Sequence, residues 1–178
     1  MAATVPRGAA ILLDFISGPE SHGSYTVIFG NHQTSLPHPI TSMTLDQLLT
    51  AQIQWGREWG SSAAGRYQIM QGTLAGLVKS LGLSGSELFS PDLQDRLGYT
   101  LLKQRGYGAF MARQMTTVDF AKSLAEEWAS MPVLAATKGA SRQITEGQSY
   151  YAGDGLNKAL VSPAAFEAAL TQAHAAAS

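Results

Sequence analysis

Hydrophobic positions along the chain recur mostly at helical spacing, and they predict a mainly helical protein. Residues 9–17 are apolar on nearly all sides, which is typical of a buried first helix. Pro19 disfavours helical backbone at Gly18, so we expect this helix to end there. Glu20 would then lie at the mouth of a loop.

Later helices carry start and stop signals. Thr44 and Gln47 fit a capping box, which predicts the start of a helix with leucines on its apolar side. Ser90 and Pro91 suit the start of a helix that runs to residue 105, where Gly106 stops it. Apolar spacing predicts further helices over residues 74–81 and 118–130. Ser162-Pro163 predicts the start of a final, alanine-rich helix.

A small β lobe is expected between the first two helices. Residues 25–29 are rich in β-branched and aromatic side chains and are followed by Gly30-Asn31, which predicts a short strand or hairpin. Residues 55–65 are rich in glycine, serine and tryptophan, which is typical of a loop. The predicted fold class is therefore α+β but mainly α, in one domain over residues 1–178 with its core at about residues 8–172.

Composition excludes several classes of function. Only 14% of the residues are charged and the net charge is −1, without a basic patch, so nucleic acid is not an expected partner. The absence of cysteine excludes disulfides and thiolate chemistry. No apolar stretch reaches the ~20 residues of a membrane-spanning helix, so we expect no membrane insertion. The first residues lack the pattern of a secretory signal, so work outside the cytoplasm would need another export route.

Glu20 is the leading candidate for a catalytic acid. It is the only acidic residue between Asp14 and Asp46, and it follows an apolar helix. Apolar surroundings disfavour the charged form of a carboxyl, which keeps it protonated to higher pH and suits it to general acid catalysis. The sequence therefore marks Glu20 for proton transfer.

Short motifs occur in a fixed order along the chain. They are Glu20-Ser21, the Ala-Gly-Arg-Tyr-Gln run at 64–68, the Gln-Arg-Gly helix end at 104–106, the Trp-Ala-Ser-Met-Pro run at 128–132 and the Tyr-Tyr-Ala-Gly run at 150–153. Together they resemble the lambda type of phage endolysin and the lytic transglycosylases of the lysozyme-like superfamily, over roughly residues 10–160. The resemblance implies a two-lobed, mainly helical fold that holds a peptidoglycan strand between its lobes. It also implies cleavage of the β-1,4 bond between N-acetylmuramic acid and N-acetylglucosamine.

The resemblance implies roles for single residues. Glu20 matches the catalytic acid, and Ser21 could orient its carboxyl or could satisfy nearby backbone. Gln68 offers a donor and an acceptor to an N-acetyl group or sugar hydroxyl, and its alternative is a buried structural amide. Tyr150 could hold the acid or the acetamido group through its hydroxyl, and its alternative is core packing.

The other expected contacts are less specific. Ser24, Tyr25 and Tyr151 complete the predicted substrate-binding residues. Tyr25 and Trp59 could stack on sugar rings, although the default for aromatic side chains in a small domain is packing. Arg66 is expected to be structural, anchoring its segment through the guanidinium group.

The course of the reaction depends on a second carboxylate. Hydrolysing phage lysozymes carry an aspartate soon after the glutamate, whereas residues 21–45 contain no acidic residue here. The resemblance then implies a lytic transglycosylase that forms 1,6-anhydromuramoyl products. Glu58, in the predicted loop before Gly65, is the alternative second carboxylate and would make the protein a hydrolytic muramidase.

Other expectations are simpler. His22, His32 and His38 fit no standard ligand spacing, so neither a metal nor another cofactor is expected. We expect a monomer whose partner is the peptidoglycan glycan strand, acting in the periplasm or cell wall. An alternative from another class is a catalytically silent lysozyme-fold module that binds or builds a phage particle or secretion system.

Overall fold

The structure, a computed structural model, describes residues 1–176 and is mainly helical. The helices are α1 (Arg7–Ser21), α2 (Leu45–Trp59), α3 (Gln71–Leu81), α4 (Pro91–Gln104), α5 (Tyr107–Met111), α6 (Thr117–Glu127) and α7 (Pro163–Ala175). Two short antiparallel strands, β1 (Thr137–Lys138) and β2 (Gln143–Ile144), pair Thr137 with Ile144 and Lys138 with Gln143. The predicted α+β, mainly α class is confirmed.

The chain divides into two compact units. The first contains Met1–Ala2 and Glu20–Leu97, and the second contains Ala3–Pro19 and the chain from Gly98 onward. Buried apolar side chains form a core in each unit. Those of the first include Ile28, Ile40, Leu45, Leu48, Leu74, Leu77 and Phe89, and those of the second include Leu12, Leu13, Ile16, Phe120, Leu124, Phe166 and Leu170.

Most predicted start and stop signals operate in the structure. Thr44 and Gln47 form the capping box, since each side chain accepts a hydrogen bond from the other residue's backbone N–H. The Ser90 hydroxyl accepts from the N–H of Leu93 at 3.2 Å, and Gly106 follows α4 with a φ of 100°. Side chains that complete a helix end in this way stabilise it by about 1 kcal/mol.

The end of α1 differs from the prediction. The helix does not stop at Gly18 but continues to Ser21 with Pro19 inside it, so Glu20 lies in the last helical turn. Proline lacks an N–H and crowds the residue before it, but Gly18 has no Cβ to meet the proline ring. His22 ends the helix instead, with a left-handed φ of 53°.

The predicted strand over residues 25–29 is wrong as a continuous strand. It is reduced to one β-bridge between Ile28 and Ala64, and a 3₁₀ segment, Phe29–Ser35, follows it. The structure's two named strands lie in the second unit instead. A single extended residue cannot maintain a ladder, because the chain turns immediately at Gly30 and Asn31, both with positive φ.

The predicted loop over residues 55–65 begins later than expected. α2 continues through Trp59, and Gly60 ends it. Trp55 is buried and stacks on Trp59 with ring centroids 6.1 Å apart. This packing outweighs the roughly 1 kcal/mol that Gly56 costs inside a helix.

Across residues 1–176, none of the helices combines the length and apolar character that crossing a membrane requires.

Candidate active site

A tight turn at residues 65–68, here called the 65–68 turn, is the centre of the candidate site in the first unit. Ala64 and Ile69 flank it and exchange two backbone hydrogen bonds, of 3.2 and 2.9 Å. The turn closes with a 3.1 Å bond from the N–H of Gln68 to the carbonyl of Gly65. Gly65 has a φ of 76°, and a Cβ there would overlap Oε1 of Gln94. Glycine at this position is therefore required by both backbone and space.

The candidate catalytic acid, Glu20, is connected to this turn through its neighbour Ser21. Glu20 is half-buried at the end of α1, and its neighbour Ser21 is 2% exposed. The Ser21 hydroxyl donates a 2.8 Å hydrogen bond to the carbonyl of Arg66. This bond fastens the acid-bearing end of α1 to the 65–68 turn. The hydroxyl thus satisfies backbone, which is the structural alternative raised from the sequence.

α4 holds the same turn from another direction. Oε1 of Gln94 accepts the N–H of Arg66 at 2.9 Å. Its Nε2 donates to the carbonyls of Tyr25 and Phe89 at 3.0 and 3.1 Å. One buried amide therefore joins the turn to the segment that follows α1.

α2 holds the two legs of the turn together. Nε2 of Gln52, which is buried, donates to the carbonyls of Ser62 and Ile69 at 2.7 and 2.9 Å. The N–H of Gly65 donates to the carbonyl of Val27 at 2.8 Å, which adds a third attachment. The turn is therefore fixed by α1, α2, α4 and the extended residues around Val27.

A buried carboxylate, Asp95, accepts several hydrogen bonds, including one from a residue of the turn. It accepts the hydroxyls of Tyr67 at 2.7 Å and Tyr25 at 3.0 Å, and the N–H of Ala2 at 2.6 Å. Arg66 lies 3.7 Å from the carboxylate and donates to the Tyr25 hydroxyl at 2.6 Å. The Arg66 guanidinium also lies over the Tyr25 ring, 4.9 Å from its centroid. Opposite charge and these hydrogen bonds compensate the desolvation of Asp95.

The two tyrosines of this cluster resist ionisation. Burial, followed by the hydrogen bond to Asp95, raises the pKa of Tyr67 far above its ordinary value. Burial and the neighbouring Asp95 charge also raise the pKa of Tyr25, against the opposing effect of Arg66. Both hydroxyls are therefore neutral donors, and the Tyr25 hydroxyl is engaged by protein rather than open to a sugar.

Gln68 keeps one polar atom available. Its Nε2 donates to the carbonyls of Gly65 at 2.9 Å and Val27 at 3.3 Å, which uses both of its hydrogens. Within the described chain its Oε1 has no hydrogen-bond donor. Gln68 also has a φ of 46°, which is uncommon for a residue with a Cβ. The side chain can therefore accept from a substrate N–H or hydroxyl, but it has no hydrogen left to donate.

The other predicted residues of the first unit have local partners. The Ser24 hydroxyl lies 3.1 Å from that of Thr26, within the loop after α1. Trp59 stacks with His32, ring centroids 4.2 Å apart, and with Trp55. Trp59 therefore takes part in aromatic packing within the protein, which is the alternative raised from the sequence.

Glu58 is placed differently from its prediction. It lies in the last turn of α2 rather than in a loop, and its side chain is exposed. It lines a shallow surface depression of ≈ 510 Å³ with Thr50, Ile53, Gln54 and Arg57, all on α2. No hydrogen bond or ion pair involving Glu58 occurs within residues 1–176.

The second unit contains the tyrosine pair. The Tyr151 hydroxyl donates to the carbonyl of Glu126 at 2.6 Å, and burial raises the pKa of Tyr151. The Tyr150 ring meets the Tyr151 ring edge to face, with centroids 5.2 Å apart. Among the described residues nothing hydrogen-bonds to the Tyr150 hydroxyl. Tyr151 is therefore anchored, and Tyr150 has its hydroxyl available.

Two residues of the site were not predicted from the sequence. Gln94 and Asp95 lie in α4 between Leu93 and Leu97, and the leucine spacing predicts a helix without indicating that its polar residues are buried. No local sequence pattern indicates hydrogen-bond partners that lie 28 to 93 residues away in the chain. For the part of the chain that the structure describes, no group of three or more histidine or acidic side chains is arranged to hold a metal ion.

Comparison with known proteins gives one match. A family model described as Endolysin matches residues 17–157, which is more than half of the chain and includes every residue of the predicted site. No curated protein and no solved structure matches the chain.

Proposed function

The chain belongs to the endolysin family, and from that membership we propose that it cleaves glycan strands as a lytic transglycosylase. Endolysins degrade the bacterial cell wall, so the chain is a phage enzyme that acts on peptidoglycan. The proposed bond is the β-1,4 link from N-acetylmuramic acid to N-acetylglucosamine. The proposed products end in 1,6-anhydromuramic acid.

The bond from Ser21 to Arg66 is the observation that carries this proposal. It holds the last turn of α1, and with it Glu20, against a turn whose Gln68 has a free acceptor atom. Glycoside cleavage needs a carboxylic acid positioned beside the leaving oxygen and polar groups that orient the sugar. Glu20 and Gln68 supply this pair in the first unit. Tyr150 supplies a further available hydroxyl in the second unit.

The proposed reaction uses Glu20 twice. Glu20 first donates its proton to the glycosidic oxygen while the bond from the muramic C1 to that oxygen breaks, assisted by the substrate's own acetamido group. The resulting carboxylate then accepts the proton of the muramic 6-hydroxyl as O6 bonds to C1 and the bond from C1 to the acetamido oxygen breaks. No water is consumed, and Glu20 ends protonated as it began.

The surroundings of the other carboxylates support this outcome over hydrolysis. A retaining hydrolase needs a second carboxyl about 5 Å from the acid, and an inverting one about 6.5–9.5 Å away. Asp95 is buried and occupied by tyrosine hydroxyls and backbone. Glu58 is exposed on α2. Hydrolysis assisted by Glu58 is the alternative reaction, and membership of an enzyme family disfavours the silent binding module.

Zymography on purified peptidoglycan tests the role of Glu20. Wild type and Glu58→Gln should both clear the gel, whereas Glu20→Gln should lose activity by about 10²–10⁴-fold, since it cannot deliver a proton. Both substitutions replace a carboxyl group by an amide of the same length, so Glu58→Gln is the matched control for Glu20→Gln. Clearing by Glu20→Gln at the wild-type rate would refute the proposal, and loss of clearing by Glu58→Gln would support the hydrolase.

A further inference from the structure

Two neighbouring side chains of α4 are buried without any part in the proposed chemistry. Gln94 is 0% exposed and Asp95 is 1% exposed. Burying an amide and a carboxylate costs free energy unless their hydrogen bonds are satisfied. A leucine pair at these positions would pack without that cost. The arrangement therefore calls for a reason other than core stability alone.

The contacts of the two residues converge on one place. Gln94 accepts the backbone N–H of Arg66, while Asp95 faces the Arg66 guanidinium and accepts the hydroxyl of the next residue, Tyr67. Gln94 thus fixes the main chain of the turn at Arg66, and the adjacent Asp95 fixes the side chains of Arg66 and Tyr67. The raised pKa of Tyr67, caused by burial and by Asp95, keeps that hydroxyl a donor.

The same turn is joined to the catalytic candidate. The carbonyl of Arg66, one peptide unit from the N–H that Gln94 holds, accepts the hydroxyl of Ser21. Ser21 is covalently next to Glu20. The path from Asp95 to the acid therefore runs through Arg66 and Ser21 over hydrogen bonds and ion-pair contacts of 2.8 to 3.7 Å.

We propose that Gln94 and Asp95 are positioning residues for Glu20, acting through Arg66 and Ser21. The proposal rests on the proposed function of Glu20 as the general acid. Neither residue touches the substrate in this role; they fix the turn to which the end of α1 is fastened. A shift of about 1 Å at a reacting group can cost 10²-fold in rate, so such a support affects turnover more than binding.

The principal test is Asp95→Asn, which keeps shape but removes the charge. With solubilised glycan strands, we expect kcat to fall by about 10- to 100-fold and KM to change by less than about twofold. Leu77→Ala is the control, because Leu77 is buried in α3 of the same unit and its alkyl side chain makes none of the hydrogen bonds or ion pairs of this cluster. Both variants are measured at a temperature where circular dichroism shows each of them folded.

The outcomes separate positioning from plain stability. A reduced kcat in Asp95→Asn with a wild-type kcat in Leu77→Ala supports the proposal. A wild-type kcat in Asp95→Asn, or an equal loss in Leu77→Ala, overturns it. Should Asp95→Asn fail to fold, Tyr67→Phe removes one hydroxyl from Asp95 and keeps the ring, and its kcat is judged by the same criteria.

A double-mutant cycle tests the path itself. The cycle compares Asp95→Asn, Ser21→Ala and the double variant. If Asp95 acts on Glu20 through Arg66 and Ser21, the kcat of the double variant should be no lower than that of the less active single variant. Multiplicative losses would mean independent effects and would contradict the path. Failure of the proposed function is recognised separately, because Glu20→Gln would then remain active, whatever Asp95→Asn does.

Discussion

The hydroxyl of Ser21 donates a 2.8 Å hydrogen bond to the main-chain carbonyl of Arg66, 45 residues further along the chain. This contact joins the end of the first helix to the 65–68 turn. It connects two motifs that are far apart in sequence, because Ser21 follows the proposed acid Glu20 and Arg66 lies in the turn.

Ser21→Ala should therefore weaken both stability and turnover. Removal of this buried donor should lower the free energy of unfolding by about 1–3 kcal/mol. We also expect kcat to fall while KM changes little, because the acid loses its support rather than its substrate. Urea unfolding and steady-state kinetics on solubilised glycan strands measure the two effects.

Ser42→Ala is the matched control for Ser21→Ala. The Ser42 hydroxyl donates an equally short 2.8 Å bond to the carbonyl of Pro39, but at an exposed position. It should change the free energy of unfolding by less than about 0.5 kcal/mol and leave kcat unchanged. Equal kcat for Ser21→Ala and wild type would show that the fastening has no catalytic role.

Gly65→Ala should be among the most destabilising single substitutions in the first unit. Alanine at this position would have to adopt a left-handed φ. Its Cβ would also overlap Oε1 of Gln94 and approach the Phe89 ring to 2.9 Å. We expect a loss of about 2–4 kcal/mol, from backbone strain together with overpacking. Gly76→Ala in α3, where nothing lies within 4 Å, should instead stabilise by about 0.5–1 kcal/mol. Equal melting temperatures for Gly65→Ala and Gly76→Ala would contradict this account of the turn.

The tyrosine pair of the second unit should separate stability from activity. Tyr151→Phe removes the donor to the Glu126 carbonyl and should cost about 1 kcal/mol of stability. Tyr150→Phe should leave stability within about 0.5 kcal/mol of wild type, since no protein group bonds its hydroxyl among the described residues. It should lower turnover if that hydroxyl contacts the substrate. Unchanged turnover in Tyr150→Phe would remove Tyr150 from the proposed site.

Alkaline pH should destabilise the protein through its buried phenols. Burial raises the pKa of Tyr25, Tyr67, Tyr107 and Tyr151 above the ordinary 10.0. The unfolded chain ionises these groups near pH 10 while the folded protein keeps them neutral, so stability is present below pH 10 and falls above it. Each such group contributes a slope of up to about 1.4 kcal/mol per pH unit.

Tyr67→Phe isolates one of these phenols. Urea unfolding between pH 9 and 11 should show a flatter decline than wild type, by about half a proton at pH 10 and by about 1.4 kcal/mol in total across this range. A slope identical to that of wild type would mean that Tyr67 ionises equally in the folded and unfolded states.

The sequence predicted those elements whose signals are local. The capping box of Thr44 and Gln47, the start of α4 at Ser90 and the start of α7 at Ser162 depend on residues within three positions of each other. The family match over residues 17–157 likewise confirms the resemblance to phage endolysins. Local chemistry is therefore a sufficient guide for these features.

The failures share a different cause. Pro19 in α1 and Gly56 in α2 are locally unfavourable in helices, yet both helices continue through them, and Ile16 and Trp55 are buried in the folded chain. Gln94 and Asp95 could not be identified, since these partners come from three separate segments of the chain, at Ala2, at Tyr25 and at residues 66–67. Prediction stops where tertiary contacts determine the outcome.

The most direct test of the central claim is mass spectrometry of purified peptidoglycan digested in ¹⁸O-labelled water. Ring closure by the muramic 6-hydroxyl consumes no water, and such tethered groups reach effective concentrations of about 10⁵–10⁸ M. We predict unlabelled anhydromuropeptides from wild type and Glu58→Gln, each about 20 mass units lighter than the form hydrolysed by H₂¹⁸O, and about 10²–10⁴-fold slower product formation by Glu20→Gln. Reducing-end muramic acid carrying ¹⁸O as the main product, lost in Glu58→Gln, would contradict the account and identify a two-carboxylate hydrolase.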